Sequence, residues 1–549
     1  MRSFGKIWSG TAFLCVTAWL GWGGAAMAAV ASPGQLTSCE ALRGEARADL
    51  VIAEATSLPA SAPAPATNAL SQPTPALPAH CRVRGVIGPR KGAGGHDFGI
   101  GFELRMPAQW NGRFLFQGGG GLDGSVQSAV GAAGDGPPAL ARGFAVVSMD
   151  GGHKGADASF ALDQQARLDF AYAAIGKVTA VAKALVAEFY GSGPKYTYFA
   201  GCSNGGREAM IAMDRYPLEF DGIVAGDPGF HLSRAAVAEA WNTRQFASVA
   251  PKDEQGRAIL GRAFSPDDLK LVATGILADC DQQDGLADGM INNVQACRFD
   301  PGKLRCQGAK TAACLSAGQV TALRKIFGGP HDSVGHAIYA GLPYDAGVGA
   351  SGWRVWMTGF SSTAQSNGIN QTLGHDALTK YFQTPPQAPP QSGAADFDFD
   401  RDVAKTEQVG AINDATSTFL NSFSGHGGKL IIYQGMSDPV FSATDIIAWY
   451  GQLAADAGPP QSFARLYLVP GMNHCMGGPA TDRFDVLSSI VAWVEDGKPA
   501  DRIVATGSAF PRVSRPLCPY PLYARYRGPE ARDEKSFECV APQSNRSSR

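Results

Sequence analysis

The sequence predicts an α/β fold, in which helices connect the strands of a parallel sheet and a large insertion interrupts the pattern. Short apolar strands alternate with amphipathic helices over residues 102–225, and the alternation resumes near Lys429. Between them, residues 230–415 contain clustered cysteines, acidic turns and a proline-rich run. We therefore expect one sheet domain in two parts, residues 29–229 and 416–549, with residues 230–415 inserted between them.

Each element follows from its local pattern. Apolar residues that recur every three or four positions predict helices over residues 168–189 and 203–216. A run rich in Pro, Ala, Ser and Thr predicts a linker over residues 58–78. Short apolar runs bounded by turn residues predict strands, at residues 102–106, 114–116, 144–149, 196–200, 222–225, 429–433 and 465–469.

The composition narrows the class of protein. The chain has 549 residues, of which 45% are hydrophobic and 17% charged, so it is too long for one minimal domain and too apolar for wholesale disorder. The formal net charge of −2 lacks the basic excess of nucleic-acid binders, and we expect no nucleic-acid partner. Zinc chemistry is not expected either, because the sequence has no H-E-x-x-H motif and no clustered C-x-x-C.

The N-terminal residues have the pattern of an export signal. Arg2 and Lys6 precede a mostly apolar run over residues 7–22, and an A-x-A cleavage pattern ends at Ala28. We expect residues 1–28 to be a signal peptide and the mature protein to be secreted or periplasmic. The alternative is a membrane anchor, but the apolar run is short and hydroxyl residues interrupt it. No later stretch reads as membrane-spanning, so we expect no membrane association after cleavage.

An oxidising compartment changes the expectation for the cysteines. One of the 11 cysteines leaves with the signal peptide, and the even number that remains predicts five disulfides. Nearness in sequence favours the pairs Cys280–Cys297, Cys306–Cys314 and Cys518–Cys539, although spacing alone does not determine connectivity. The ten cysteines are Cys39, Cys81, Cys202, Cys280, Cys297, Cys306, Cys314, Cys475, Cys518 and Cys539.

The strongest chemical motif is G-x-S-x-G at residues 201–205, between a predicted strand and a predicted helix. This context is typical of the nucleophile elbow of an α/β-hydrolase, with Ser203 as the nucleophile. The start of the following helix provides the backbone N–H of Asn204 to a developing oxyanion. The alternative is a glycine-rich turn with an uninvolved serine.

An acid and a histidine follow in the chain order that this fold requires. Asp438 and His474 each come just after a predicted strand, so both are expected at the sheet edge that carries Ser203. His474 would accept the serine proton, and Asp438 would orient the imidazole. If Ser203 and His474 are neighbours, the adjacent Cys202 and Cys475 are also close. A disulfide between these two cysteines leaves one further pair, Cys39 with Cys81.

These motifs together resemble those of the tannase and feruloyl esterase family. The matching segments are residues 201–208, 435–441, 469–475 and 515–528, and the likeness extends over residues 39–539. The resemblance implies secreted serine esterases with an α/β-hydrolase fold and a lid inserted between the nucleophile and the catalytic acid. It also includes the family's mono(2-hydroxyethyl) terephthalate hydrolases.

The resemblance also implies a second oxyanion donor. Four glycines follow the predicted strand at residues 114–116, and the family pattern assigns the donor role to the N–H of Gly121. The alternative is a flexible glycine loop.

An acidic loop provides carboxylates for a hard cation. Asp281, Asp284 and Asp288 are spaced by three and four residues with glycines between them. The resemblance implies a structural Ca²⁺ that these side chains bind together with the carbonyl oxygens of Leu286 and Met290. The alternative is a solvated acidic turn.

Aromatic side chains are the candidates for substrate contact, because flat rings suit an aromatic acyl group. Phe441 follows the candidate acid by three residues, and family members carry an aromatic residue there. The other candidates are Trp353, Trp356 and Phe382 in the lid, and each has a structural alternative as a core residue.

One departure from the family concerns the substrate. Members that cleave mono-esters of terephthalate hold the free carboxylate with a lid arginine. Here no arginine lies between Arg354 and Arg401, and Ile369 or Asn370 occupies the expected place. A buried carboxylate would lack its bidentate partner, so we expect esters of phenolic acids such as gallate, ferulate or hydroxybenzoate.

The sequence therefore favours a secreted serine esterase whose partner is a small aromatic ester. A mono(2-hydroxyethyl) terephthalate hydrolase is the alternative within the class. A peptidase is possible on the same fold. A non-catalytic binding protein on a hydrolase fold is the alternative of another class, although the complete set of Ser203, Asp438 and His474 argues against it.

Overall fold

The computed structural model of the protein describes residues 38–44, 47–64, 75–385 and 396–542. The predicted signal peptide, residues 1–28, lies outside these ranges, as does the middle of the predicted linker.

A nine-stranded sheet is the centre of this described part of the chain. Its order is β1-β2-β3-β5-β4-β6-β7-β8-β9. The strands β4 to β9 run parallel to their neighbours within the sheet, whereas β1, β2 and β3 pair antiparallel and β3 pairs antiparallel with β5. The strands are Leu50–Leu58 (β1), His80–Lys91 (β2), Asp97–Pro107 (β3), Arg113–Gln117 (β4), Ala145–Met149 (β5), Tyr196–Cys202 (β6), Gly222–Gly226 (β7), Lys429–Gly435 (β8) and Ala464–Val469 (β9).

The strands predicted from the sequence are all present, but the sheet is mixed rather than wholly parallel. The strands β1 and β2 were not predicted. In β2, Gly85, Gly88 and Pro89 read as turn residues in the sequence. The structure uses one of them for close packing, because a Cβ at Gly85 would lie 2.7 Å from the ring of Phe102 in β3.

Eleven α-helices surround the sheet in the described ranges. They are Gln164–Leu168 (α1), Ala174–Tyr190 (α2), Asn204–Arg215 (α3), Leu232–Ala247 (α4), Pro266–Cys280 (α5), Ala317–Gly328 (α6), Ser351–Met357 (α7), Glu407–Asn413 (α8), Asn421–Gly425 (α9), Ala443–Ala457 (α10) and Val486–Asp496 (α11). Two antiparallel pairs complete the fold near the C-terminus, Ile503–Thr506 (β10) with Ser514–Leu517 (β11), and Tyr523–Tyr526 (β12) with Phe537–Val540 (β13).

The helix predicted over residues 168–189 corresponds to the end of α1, a π-helical turn at Asp169–Ala173 and α2, which follow one another without a break. The whole segment Gln164–Tyr190 is long and apolar enough to cross a membrane by length and composition, which corrects the expectation that no later stretch has this property. Its apolar side chains, such as Ile175 and Val178, lie in the core beneath the sheet. The composition of this helix therefore reflects burial within the protein.

The two faces of the sheet carry separate apolar cores, because side chains alternate along each strand. In β4, Phe114 and Phe116 pack on the face covered by α2, α3 and α10, whereas Leu115 packs on the face covered by α11. The parallel strands end at one edge of the sheet, and β6, β8 and β9 bring their C-terminal loops together there.

The chain between β7 and β8 leaves the sheet and contains α4 to α9. Part of it has its own apolar cluster, in which Phe246, Trp353 and Leu323 are buried. This cluster explains why the strand–helix alternation stops: α5, α6 and α7 pack together with α4 instead of alternating with strands.

The structure confirms the predicted disulfide pairings. Short loops are closed by Cys280–Cys297 and Cys306–Cys314. The third bridge, Cys518–Cys539, joins the residue after β11 to β13. The two long-range pairs are Cys39–Cys81 and Cys202–Cys475, with Cα–Cα distances of 5.5 and 6.0 Å.

Candidate active site

Ser203 lies in the sharp turn between β6 and α3. Its φ of 64° and ψ of −124° are strained for a residue with a side chain. The turn is possible because its neighbours are glycines: a Cβ at Gly201 would lie 2.5 Å from the carbonyl of Gly205, and one at Gly205 would lie 2.7 Å from that of Gly119. The strained turn presents the Ser203 hydroxyl at the sheet edge, as the motif predicts.

The candidate histidine and acid meet the serine there. His474 Nε2 lies 2.8 Å from Ser203 Oγ, and His474 Nδ1 lies 2.9 Å from Asp438 Oδ2. The side chains of His474 and Asp438 are almost wholly buried, at 4% and 0% exposure. The structure therefore brings Ser203 together with two residues that follow it by more than 200 positions in the sequence.

Asp438 is fixed by donors from its own loop. Its Oδ1 accepts hydrogen bonds from the backbone N–H groups of Val440 and Phe441, at 2.8 and 3.2 Å. Its Oδ2 accepts from Gln434 Nε2 at 3.1 Å as well as from the imidazole of His474. These donors stabilise the ionised carboxylate that a protonated His474 requires.

A second buried acid, Asp227, connects the loops that carry the three residues. Its Oδ1 accepts from the N–H of Gly435 at the end of β8, at 2.6 Å, and its Oδ2 accepts from the N–H of Cys475 at 3.0 Å. Burial, and then the charge of Asp438, raise the pKa of Asp227 well above its usual value. Sequence analysis did not identify Asp227, although a polar residue directly after a parallel strand was a signal for it.

The Cys202–Cys475 disulfide reinforces this connection. It covalently joins the residue before Ser203 to the residue after His474. Cys475 has a φ of 64°, and Asp227 Oδ2 lies 3.8 Å from the sulfur of Cys202. The nucleophile loop and the histidine loop are therefore joined by one covalent bond, and the carboxyl of Asp227 bonds the histidine loop to the end of β8.

Of the predicted oxyanion residues, Asn204 directly follows the serine, and Gly121 belongs to the loop that approaches the serine turn at Gly205. Asn204 begins α3, so its N–H has no intrahelical partner. Gly121 lies in the loop after β4 with a φ of 59°, and its N–H makes no backbone hydrogen bond within the described ranges. A Cβ at this glycine would lie 3.8 Å from the lid residue Leu373, so the loop faces the lid.

Two buried carboxyls hold this loop in place, and the sequence analysis missed both roles. Glu208 Oε2 accepts from the N–H of Gly119 at 2.8 Å, and Asp123 Oδ1 accepts from the side-chain amide of Asn204. Burial raises the pKa of Glu208, and burial together with the charge of Glu208 raises that of Asp123 well above its usual value. The buried guanidinium of Arg207 offsets part of this charge.

Two of the four predicted substrate-contact residues flank the histidine. The rings of Trp356 and Phe441 lie edge-on to His474, with centroid distances of 4.8 and 5.3 Å. Trp353 instead lies in the lid core, 2% exposed, where it contacts Phe246 edge-on.

Phe382 is also a core residue. It is fully buried in a cluster that includes Tyr381 and Phe160. The sequence alone does not distinguish Trp353 and Phe382 from aromatic residues that contact a substrate. In the structure, apolar packing accounts for the burial of both. The structure therefore brings Trp356 and Phe441 to the histidine, and it does not bring Trp353 or Phe382 there.

The acidic loop between α5 and Cys297 has features for and against a cation site. Asp281 is buried and its Oδ1 has no hydrogen-bond partner in the described part of the chain, as expected for a ligand atom. Asp284 instead accepts from Asn292, and Asp288 pairs with Arg515.

The three loop carboxylates do not form a compact group of ligand atoms. Within the described ranges, three potential ligand atoms lie within 4.8 Å of one another at Cys202, Asp227 and Cys475 instead. The two cysteines of this group form a disulfide. The orphan oxygen of Asp281 fits a cation, and full coordination requires Asp288 to leave Arg515.

The sheet, the strained serine and its hydrogen-bonded histidine and acid have the arrangement of the α/β-hydrolase class. The sequence model of the family "Tannase and feruloyl esterase" matches residues 81–540. The chain belongs to this family of esterases, which confirms both the resemblance and the predicted fold class.

Similar proteins agree with this assignment. A mono(2-hydroxyethyl) terephthalate hydrolase from Piscinibacter sakaiensis is 42% identical over 92% of each chain. A probable feruloyl esterase from Arthroderma benhamiae is 28% identical over 80% of this chain and 81% of its own. The solved feruloyl esterase B from Aspergillus oryzae shares the fold with a TM-score of 0.75 at 24% identity, covering 91% of this chain and 99% of that one.

Proposed function

We propose that the protein hydrolyses carboxylic esters of aromatic acids through an acyl-enzyme on Ser203. The observation that carries this proposal is the unbroken hydrogen-bonded series from Ser203 through His474 to Asp438, flanked by two aromatic rings. Family membership supports the ester chemistry.

The geometry supports a two-step reaction. Ser203 Oγ attacks the ester carbonyl carbon while His474 Nε2 takes its proton, and the N–H groups of Gly121 and Asn204 stabilise the oxyanion. The imidazolium then protonates the leaving alkoxide, so the C–O bond breaks and an acyl-Ser203 remains. Water, deprotonated by His474, then attacks the acyl carbon, and the bond to Ser203 Oγ breaks as the imidazolium returns the proton to that oxygen and the acid leaves. Asp438 stabilises the imidazolium in both steps.

The lid favours an uncharged or phenolic acyl group. Asn370 lies next to the acid loop, where its amide donates to the carbonyl of Pro439 at 3.2 Å. The preceding arginine in sequence, Arg354, donates to the carbonyl of Gly261 and lies over the ring of Phe360. A terephthalate carboxylate in this place would lack a guanidinium partner.

Mono(2-hydroxyethyl) terephthalate is the second candidate substrate. The 42% identity to a hydrolase of that name favours it, whereas the asparagine at position 370 argues for phenolic esters.

A panel of esters tests the proposal. We expect purified protein to hydrolyse methyl ferulate, methyl gallate or methyl 4-hydroxybenzoate with a higher kcat/KM than mono(2-hydroxyethyl) terephthalate, because the lid offers the carboxylate no cationic partner. Initial rates by chromatography of the released acid give the ranking. Faster terephthalate turnover would reverse the substrate assignment, and cleavage of peptides but of no ester would replace the esterase by a peptidase.

We also propose a structural Ca²⁺ in the loop of Asp281, Asp284 and Asp288, with the carbonyls of Leu286 and Met290 completing the ligand set. The orphan buried oxygen of Asp281 supports it, and the loop is closed by the Cys280–Cys297 disulfide. When bound, the ion would neutralise the loop carboxylates and stiffen the lid, and it would take no part in the chemistry.

Removal of the metal should lower stability without dismantling the catalytic residues. We expect a chelator to reduce the thermal unfolding midpoint by several degrees and Ca²⁺ to restore it, because ligand binding stabilises the folded state by mass action. Asp281→Asn should abolish the response, whereas Asp267→Asn, at an exposed position in the first turn of α5, should retain it. A midpoint that is insensitive to chelation in the wild type would disprove the site.

We further propose that the protein is exported and cleaved after Ala28. The five disulfides are typical of oxidising compartments and support this proposal. N-terminal sequencing of the exported protein checks the cleavage position.

A further inference from the structure

Three buried polar side chains meet between α4 and the π-helical turn Asn370–Gly374 without satisfying one another. Glu239, Asn242 and Asn370 are 7%, 6% and 2% exposed. Within the described ranges, Glu239 Oε2, Asn242 Oδ1 and Asn370 Oδ1 have no hydrogen-bond partner. Buried polar atoms are nearly always paired in folded proteins, so three orphans in one place indicate a missing partner.

The amide groups of the two asparagines share one neighbour. Asn242 Nδ2 and Asn370 Nδ2 lie 3.9 and 3.8 Å from the sulfur of Met357. The carboxyl of Glu239 lies against Gly374, where a Cβ would overlap its Oε2. Glycine at position 374 is therefore required for this carboxyl to occupy its place.

The cluster adjoins the candidate active site on three sides. Asn370 donates to the carbonyl of Pro439, directly after Asp438. Met357 follows Trp356, whose ring contacts His474. Leu373, one residue before Gly374, faces the oxyanion loop at Gly121. The turn Asn370–Gly374 thus extends from the acid loop to the oxyanion loop, with the orphan atoms on its α4 side.

The protonation of Glu239 gives the cluster both donors and acceptors. Burial, and then the charge of Asp438, raise the pKa of Glu239 to about 8. The carboxyl is therefore mostly neutral at pH 7, with one O–H to donate and one carbonyl oxygen to accept. The two asparagine oxygens are acceptors. A phenolic hydroxyl, which both donates and accepts, complements this set, whereas a carboxylate would face three oxygens and no cation.

We propose that Glu239, Asn242 and Asn370 form the polar end of the acyl pocket and bind a hydroxyl group on the aromatic ring of the substrate. This inference rests on the proposed function and deepens it. It assigns specificity for hydroxylated rings to Asn370 together with two residues of α4, Glu239 and Asn242, which the sequence did not single out.

Two esters that differ by one hydroxyl group test the inference, methyl 4-hydroxybenzoate and methyl benzoate. We expect the wild type to favour the hydroxylated ester by about 10-fold or more in kcat/KM, because a site built to bond a hydroxyl leaves polar groups unpaired with the analogue. In Glu239→Leu and Asn370→Leu this ratio should fall towards one, while Glu239→Gln, which keeps a donor and an acceptor, should retain most of it.

The control variant is Glu254→Gln, whose exposed side chain lies outside the cluster and should leave the wild-type ratio in place. Labelling by a serine-directed phosphonate shows that each variant is folded. A wild-type ratio near one, or a ratio that both leucine variants preserve, would overturn the inference and leave the esterase proposal standing. Hydrolysis by the wild type of neither these two esters nor any other ester of the panel above would overturn the proposed function itself.

Discussion

Ser203→Ala should lower kcat on any accepted ester by about 10⁵- to 10⁶-fold, as expected when the nucleophile of a serine hydrolase triad is removed. Without Oγ no acyl-enzyme forms, and water must attack directly with only the oxyanion donors to help. KM should change little, because the aromatic walls formed by Trp356 and Phe441 remain. Steady-state rates on the preferred ester measure the effect.

The matched control is Ser422→Ala, which removes an exposed hydroxyl in α9 and should preserve the wild-type kcat. A serine-directed phosphonate should label the wild type and the control, and should not label Ser203→Ala. If Ser203→Ala retained more than about 1% of the wild-type rate, a different nucleophile would be responsible and the two-step mechanism would be wrong.

Replacing both Cys202 and Cys475 by serine should have the second largest effect, and it should act on both stability and turnover. This disulfide spans 273 residues. In the chain-entropy model, closing a loop of that length raises the free energy of unfolding by up to about 5 kcal/mol, because it lowers the entropy of the unfolded chain. The double variant also removes the covalent link between the loops of Ser203 and His474, leaving the hydrogen bond between these two side chains. We expect a lower unfolding midpoint and a kcat reduced by about 10-fold or more, since small misplacement of catalytic groups is costly.

The matched control replaces Cys306 and Cys314, which close a loop of only eight residues. The same model gives a smaller loss of stability for this pair, about 2 to 3 kcal/mol, and the pair is far from the catalytic loops in the fold. Its kcat should equal that of the wild type. An equal loss of kcat in both double variants would show that general destabilisation, and not positioning, explains the result.

The candidate catalytic residues were predictable because their signals are local. A glycine-rich turn between a strand and a helix marks Ser203, and the chain order then directs attention to Asp438 and His474 after later strands. Parallel strands end at one edge, so residues far apart in sequence are expected at one place. The pairing of Cys202 with Cys475 follows from the same reasoning, since each adjoins a catalytic residue.

The aromatic residues show where local signals stop. Trp353 and Trp356 are three positions apart on α7, yet one is in the lid core and the other lies beside His474. The sequence provides the helix, but the direction that each ring faces depends on which neighbouring elements pack against it. Phe382 has the same ambiguity, and burial with Tyr381 resolves it.

The sequence by itself determined the fold class and the chain order of the candidate catalytic residues, and it favoured the disulfide partners, because each depends on short motifs and on the rules of parallel sheets. Tertiary structure alone decided the roles of Asp227 and Glu208, whose carboxyls accept hydrogen bonds from distant loops. It alone brought the carboxyl of Glu239 against Gly374. The physical reason is that a buried polar group is defined by its partners, and partners from separate elements leave no periodic pattern in the chain.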